Sequence, residues 1–386
     1  MKKQALLIAL AALALGGCGI FKSKTNRENI EPPTELADID TGVDVDQIWS
    51  ESTGKGERQL GLRQAVALDG GRVFAADVEG DLTALDAATG RELWQVETGL
   101  RLSGGPGVGE DTLVVGGLDG TVLAYNPDSG SERWRAQVSS EVITRPAVGR
   151  GLAVVRVNDG RTYAFSITDG TRRWVYDRGL PSLTLRGNAA PVIAGDLVIL
   201  GYDNGTVSAV SLEDGSQRWE QTISEPKGRN ELDRMVDVDG EIVVSGSEVY
   251  VASFNGQVQA LDLGSGRPLW NREMSVYAGL ALSGDKILVA DKNANVWALD
   301  RRTGASLWRQ DGLAYRWLTA PGVTDRHVVF GDLKGYVHWL SLEDGSLQAR
   351  ERVGRKAVRA TPQTGADGVV YVRGIRGKLV AFRAGS

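Results

Sequence analysis

The chain holds one cysteine and two histidines in 386 residues. A lone cysteine excludes an intramolecular disulfide, a thiolate zinc site and an iron–sulfur cluster. Eleven prolines without a Gly-X-Y period exclude collagen. A basic excess is also missing: the net charge is −5 and the pI about 5.4, which speaks against a general nucleic-acid binder. Near the N-terminus the apolar run from Ala5 to Leu15 is about half the ~20 residues a spanning helix needs. No G-x-S-x-G, P-loop or H-E-x-x-H pattern occurs. His327 and His338, each on a predicted strand or its edge, read as packing or surface polar groups. Gly104-Gly105-Pro106-Gly107-Val108-Gly109 lies between strands and opens no helix, which argues against a phosphate loop.

What the chain has in excess is glycine, 50 residues against a usual share of about 7%. Spread evenly, so many glycines indicate tight turns between short strands. Apolar residues at 42% and charged residues at 24% are enough for a large core.

The first residues are an address. Lys2 and Lys3 precede the Ala5–Leu15 run, and Leu15-Gly16-Gly17-Cys18 closes it, as in a secretory signal peptide. The sole cysteine sits at the cleavage point, and these four residues resemble the bacterial lipobox, in which the cysteine is acylated. Residues 1–17 are therefore expected to be removed, and loss of Lys2 and Lys3 takes the net charge from −5 to −7. Gly19 stands where an aspartate would favour inner-membrane retention, so the resemblance implies the outer membrane, on its periplasmic face. Residues 18–45, polar and without sustained periodicity, read as the lipidated cysteine and a flexible tether.

Beyond the tether one pattern recurs. Its clearest copy runs from Gly80 to Trp94, and the next from Gly120 to Trp134, Gly160 to Trp174, Gly205 to Trp219 and Gly256 to Trp270. Ala294 to Trp308 and Gly335 to Ala349 follow, and an eighth opens at Gly377 and stops short. Gln47-Ile48-Trp49 reads as the missing end of that eighth copy. Each unit has an alternating or apolar run, a hairpin turn such as Asp119-Gly120, a Val-x-Ala-Leu strand, a loop closed by glycine and a strand ending in tryptophan. A four-stranded antiparallel unit repeated every 40-odd residues predicts an all-β, eight-bladed β-propeller over 46–386, its last blade closed by the N-terminal strand. The tryptophan supplies an apolar face between blades and an N–H for a loop carbonyl. A small residue (Ala84, Ala124, Ala164, Ala209, Ala260, Ala298, Ala381) leaves room for it, and Trp339 breaks that rule. Repeat openings lie 40, 40, 45, 51, 38, 41 and 42 residues apart, while the step to the tryptophan position stays at 14. The length variation falls in the connections between blades. The two longest follow Trp174 and Trp219, are neighbours, and mark one rim as a binding face.

The motif Ala-Leu-Asp-x-x-Thr-Gly-x-x-x-Trp resembles quinoprotein-type propellers. Over nearly the whole chain, lipobox included, the sequence is similar to the BamB family of propeller lipoproteins in the β-barrel assembly (BAM) machinery. The resemblance implies a non-enzymatic scaffold without a cofactor, and a propeller monomeric by itself. It also implies binding to the periplasmic POTRA domains of BamA and a part in inserting outer-membrane β-barrels, with nascent outer-membrane proteins as a further partner. Carried over residue by residue, the family's contact leucines and arginine fall on Leu183, Leu185 and Arg186, and its acidic pair on Asp237 and Asp239. Read on their own chemistry, the leucines form an apolar anchor, the arginine directs hydrogen bonds and the aspartates meet a basic partner. The alternative is that the leucines seal the loop onto the ring and the aspartates are solvated.

Two rival readings remain. A generic periplasmic scaffold for another partner would share the paired loops. A PQQ-dependent dehydrogenase would use vicinal cysteines in most members, a calcium site and a catalytic aspartate, and no cysteine besides Cys18 is present.

Overall fold

Strand β1 (Val45–Ser52) is followed by β2 (Ala67–Asp69), β3 (Arg72–Ala76), β4 (Asp81–Asp86) and β5 (Glu92–Glu97). The computed structural model describes residues 31–39, 42–57, 60–179, 189–225, 236–238 and 240–385. β2 to β5 pair in order as an antiparallel sheet, with the turn glycine Gly80 at φ +105° between β3 and β4. Residues 73–76 of β3 are buried, which is why this strand reads as a continuous apolar run and not as an alternation.

The unit recurs to give eight four-stranded sheets and no helix among the described residues. The first strands of successive sheets lie against one another, so the sheets radiate from an axis as blades 1 to 8 of a β-propeller, with the tryptophan strands outermost. Blade 8 consists of Gln363–Thr364, Val370–Arg373, Lys378–Ala384 and, on the outside, β1. β1 pairs from Val45↔Ala384 to Ser52↔Lys378, with a bulge between Gln47 and Trp49. The ring is thus closed by the N-terminal strand, as the truncated eighth repeat predicts.

The core is divided. Eight apolar clusters each sit between two neighbouring blades. Between blades 1 and 2, Phe74, Ala76 and Leu82 meet Leu102, Leu113 and Val115. At the closure, Trp49, Tyr371, Leu379 and Ala381 of blade 8 meet Val73, Ala75 and Leu85 of blade 1. Complete burial of side chains of this size is worth about 1.5–3 kcal/mol each, so stability lies in the blade–blade seams.

Each seam but one carries the same joint. The indole N–H groups of Trp49, Trp94, Trp134, Trp174, Trp219, Trp270 and Trp308 donate to carbonyls of Ala87, Pro127, Ile167, Leu212, Leu263, Arg301 and Leu342 in the following blade, at 2.8–3.2 Å. The ring lies on the loop glycine of that blade. At Gly215, φ is +72° and an added Cβ would come within 2.8 Å of the Trp174 ring, so the position requires glycine twice over.

Within a blade each tryptophan faces an alanine across the ladder, as Ala84↔Trp94 and Ala381↔Trp49 do. Blade 7 inverts the pair to Trp339↔Ala349. The inversion has a physical reason. A tryptophan at 349 would need a loop between the third and fourth strands of blade 8, and there the fourth strand comes from the N-terminus. Trp339 fills the seam instead, fully buried and edge-on to Phe382 at 5.5 Å.

The described part of the segment expected as a tether lies against the ring. Thr34 donates its N–H to the carbonyl of Ala314 (3.0 Å), Arg350 reaches the carbonyl of Ala37 (2.9 Å), and Leu36 packs against the seam between blades 6 and 7. Val43 then bonds Gln348 (3.0 Å) before β1 begins. These contacts use backbone carbonyls and two apolar side chains seven residues apart, Leu36 and Val43, so they leave no periodic pattern to read.

Candidate partner-binding face

In an antiparallel blade, the hairpin between the second and third strands and the connection to the next blade emerge on the same face. The two long connections, from blade 3 to 4 and from blade 4 to 5, therefore share a rim. Their described ends converge on one turn of blade 4, Tyr202-Asp203. The Tyr202 ring lies between two guanidinium groups, Arg156 at 4.9 Å and Arg178 at 4.8 Å. Such stacking is favourable when it is shielded from water, and Tyr202 is only 3% exposed. Burial pushes its phenol far above the usual range, so it stays neutral.

Arg178, just before the first connection departs, ties it to blade 4. It donates to Thr206 Oγ1 (2.7 Å) and forms an ion pair with Glu220 (2.7 Å). Arg156 is wholly buried, pairs with Asp203 at 3.3 Å and donates to the carbonyl of Ala189, where the first connection returns (3.4 Å). The second connection returns over the same turn, since Val238 N–H donates to the carbonyl of Tyr202 (3.1 Å). Asp237 accepts from Phe254 N–H through its carbonyl (2.9 Å). The described ends of the two connections thus meet on a common, charged turn of blade 4.

Of the residues singled out in the sequence, Leu183, Leu185, Arg186, Asp239 and Cys18 lie outside the described residues. Asp237 lies within them and is 1% exposed. Its segment is drawn onto the Tyr202 turn. Sequence reasoning missed the Arg156–Tyr202–Arg178 stack. A signal existed: Arg156 occupies a strand end where Ala76, Gly116, Gly201, Ala252, Ala290 and Gly331 stand in six other repeats. The eighth repeat has Arg373 there, and it too is buried. Arg373 donates to the carbonyl of Ala76 (2.6 Å) and to the hydroxyl and carbonyl of Thr53, and burial lowers its pKa to about 10. Both odd arginines mark special seams, one under the long connections and one at the ring closure.

No group of three or more metal-ligating side chains occurs among the described residues. A family model described as outer membrane protein assembly factor BamB matches residues 38–99 and 78–310. The chain belongs to the BamB family. Curated BamB proteins from Pseudomonas aeruginosa and Xanthomonas campestris pv. campestris are 46% and 43% identical to it. The first alignment covers 98% of both chains, the second 99% of this chain and 98% of its relative. The crystal structure of BamB from Moraxella catarrhalis superposes with a TM-score of 0.80, covering 88% of this chain and all of that one at 24% identity. That likeness is one of fold, and it agrees with the eight blades. BamB membership makes the chain a propeller component of the outer-membrane assembly machinery.

Proposed function

We propose that this BamB-family chain is a non-enzymatic scaffold that binds the periplasmic POTRA domains of BamA and assists insertion of outer-membrane β-barrels. It would be held at the outer membrane by lipid on Cys18. The observation that carries the reading is the shared floor: the described ends of the first connection are tied to the Tyr202 turn by Arg178 and Arg156, and the returning end of the second by the Val238 N–H. A base already ordered before docking lowers the ordering cost of binding. Leu183 and Leu185 supply the apolar anchor, Arg186 its directed hydrogen bonds, and Asp239 the acidic counterpart. Asp237, buried at the foot of the second connection, acts as a positioning residue. The lone cysteine supports the non-enzymatic reading, because most quinoprotein dehydrogenases use a vicinal pair.

The double variant Leu183→Ala/Arg186→Ala should lose capture of BamA from detergent-solubilised outer membranes while its circular dichroism and melting stay unchanged. Undiminished capture would sink the assignment of these residues, and absence of BamA from the wild-type eluate would sink the partner.

A further inference from the structure

A second part of the same face is built differently. The connection from blade 6 to blade 7 carries Trp317, at 70% the most exposed of the large apolar side chains, and Tyr315 at 36%. Both have left-handed backbone, φ +52° and +59°, which bulky residues adopt only when their surroundings hold them there. Here the surroundings do. Tyr315 N–H donates to the carbonyl of Asn293 (2.7 Å), Leu333 N–H to that of Arg316 (3.1 Å), and Arg316 is buried against Asp332 (2.8 Å). Trp317 and Tyr315 thus form an exposed aromatic pair whose backbone is held in place by its surroundings.

We propose that the rim of blades 6–8 seats on an anionic lipid surface, with Trp317 in the headgroup layer and Lys292, Lys334, Arg355, Lys356 and Arg376 against the phosphates. The five cations are exposed and occupy the hairpin turns of blades 6, 7 and 8 and the connection from blade 7 to 8. The exposed anion in the Trp317 connection is Asp311, 3.9 Å from Arg309. The matching turns of blades 1, 2 and 3 carry Glu79, Asp119 and Asp159 instead, so the basic character belongs to one side of the ring.

The entry point of the chain selects a membrane as the occupant. Thr34 is fixed to this connection, by its N–H to Ala314 and by its carbonyl, which accepts from Arg316 (2.8 Å). Fifteen residues separate Thr34 from Cys18, and the sixteen Cα steps between them, at ~3.5 Å each, span at most about 55 Å. The inference rests on the proposed lipid anchor, which keeps this rim, where the chain enters the ring, within that reach of the bilayer. Tryptophan concentrates at the membrane–water interface, and clustered lysine and arginine bind anionic headgroups in a salt-dependent way.

The test uses the full acylated protein in vesicles of phosphatidylethanolamine and phosphatidylglycerol whose acyl chains are brominated. Wild-type fluorescence should be quenched more than that of Trp317→Phe, which differs by one indole. That excess should vanish in phosphatidylcholine vesicles and in Lys334→Glu/Lys356→Glu/Arg376→Glu. Protein that floats with the vesicles but shows no Trp317-dependent quenching overturns the proposal while the anchor stands. Protein that does not float refutes the anchor, and the proposal with it. In cells, a photo-crosslinker at position 317 that captures an acidic protein instead of lipid also overturns it. Should the triple variant fail to fold, the Trp317→Phe comparison still decides.

Discussion

At the scale of single residues, the joint between blades predicts unequal costs for chemically identical changes. Trp219 is 8% exposed, its N–H bonds Leu263 and its ring lies on Gly266. Trp219→Ala should cost about 3–5 kcal/mol, the range for a deleted buried aromatic. Trp317→Ala, at a site open to solvent, should change stability by less than about 0.5 kcal/mol. Chemical denaturation of the two variants checks both. The two histidines predict a pH window. His338 is buried beside Asp332 (3.1 Å), with Arg316 and Arg350 nearby, and burial dominates in holding its pKa below the ordinary 6.5; burial lowers His327 in the same direction. The folded state therefore binds protons later than the unfolded chain. Stability should fall as pH drops below about 6.5, and above that value it should carry no histidine dependence. His327→Gln/His338→Gln should flatten the slope of melting temperature between pH 7 and pH 5; an unchanged slope would place its origin elsewhere.

At the scale of elements, the repeat made most of the fold legible. Strand after strand follows from apolar runs, turn glycines and a tryptophan fourteen residues on, and even the borrowed strand β1 is announced by an eighth repeat that stops short. The legible features are local ones. What stayed hidden is non-local: Arg156 meets Tyr202 and Asp203 across a seam, and Thr34 meets Arg316 over 282 residues. The Trp339/Ala349 inversion lies between. Both residues stand out in the sequence, yet only the ladder register shows that they face each other and exchange volumes. The loop glycines give the sharpest prediction at this scale. Gly215→Ala combines a left-handed backbone with a Cβ pressed on Trp174, so it should destabilise by more than the ~1–2 kcal/mol of the backbone effect alone. Gly195→Ala has positive φ but open space around its Cβ, and should cost about the backbone effect only. Equal melting shifts for the two would mean that the indole does not seat on the glycine.

At the scale of the molecule, a ring of units that touch only their neighbours gains cooperativity from closure. An open array of the same blades can fray from either end, whereas a closed ring must break a seam in its middle to begin unfolding. Closure here rests on β1, on Trp49 docked to Ala87 and Gly90, and on Arg373, which grips Thr53 on one side and Ala76 on the other. A buried arginine satisfied by carbonyls is costly to orphan, so removing its partners harms more than their apolar area suggests. Two truncations separate these contributions. Deleting the chain through Asp44 removes the Thr34–Ala37 and Val43 contacts but leaves all eight blades, and should lower the melting temperature by a few degrees with a single transition. Deleting through Thr53 also removes the outer strand of blade 8, the Trp49 joint and the Thr53 partners of Arg373. That chain, in which Arg373 keeps only the Ala76 carbonyl of its partners, should unfold at much lower denaturant with a reduced m-value, because the broken ring already exposes surface in its native state. A sharp, unshifted transition after the second deletion would mean that the seams hold the propeller without the closure.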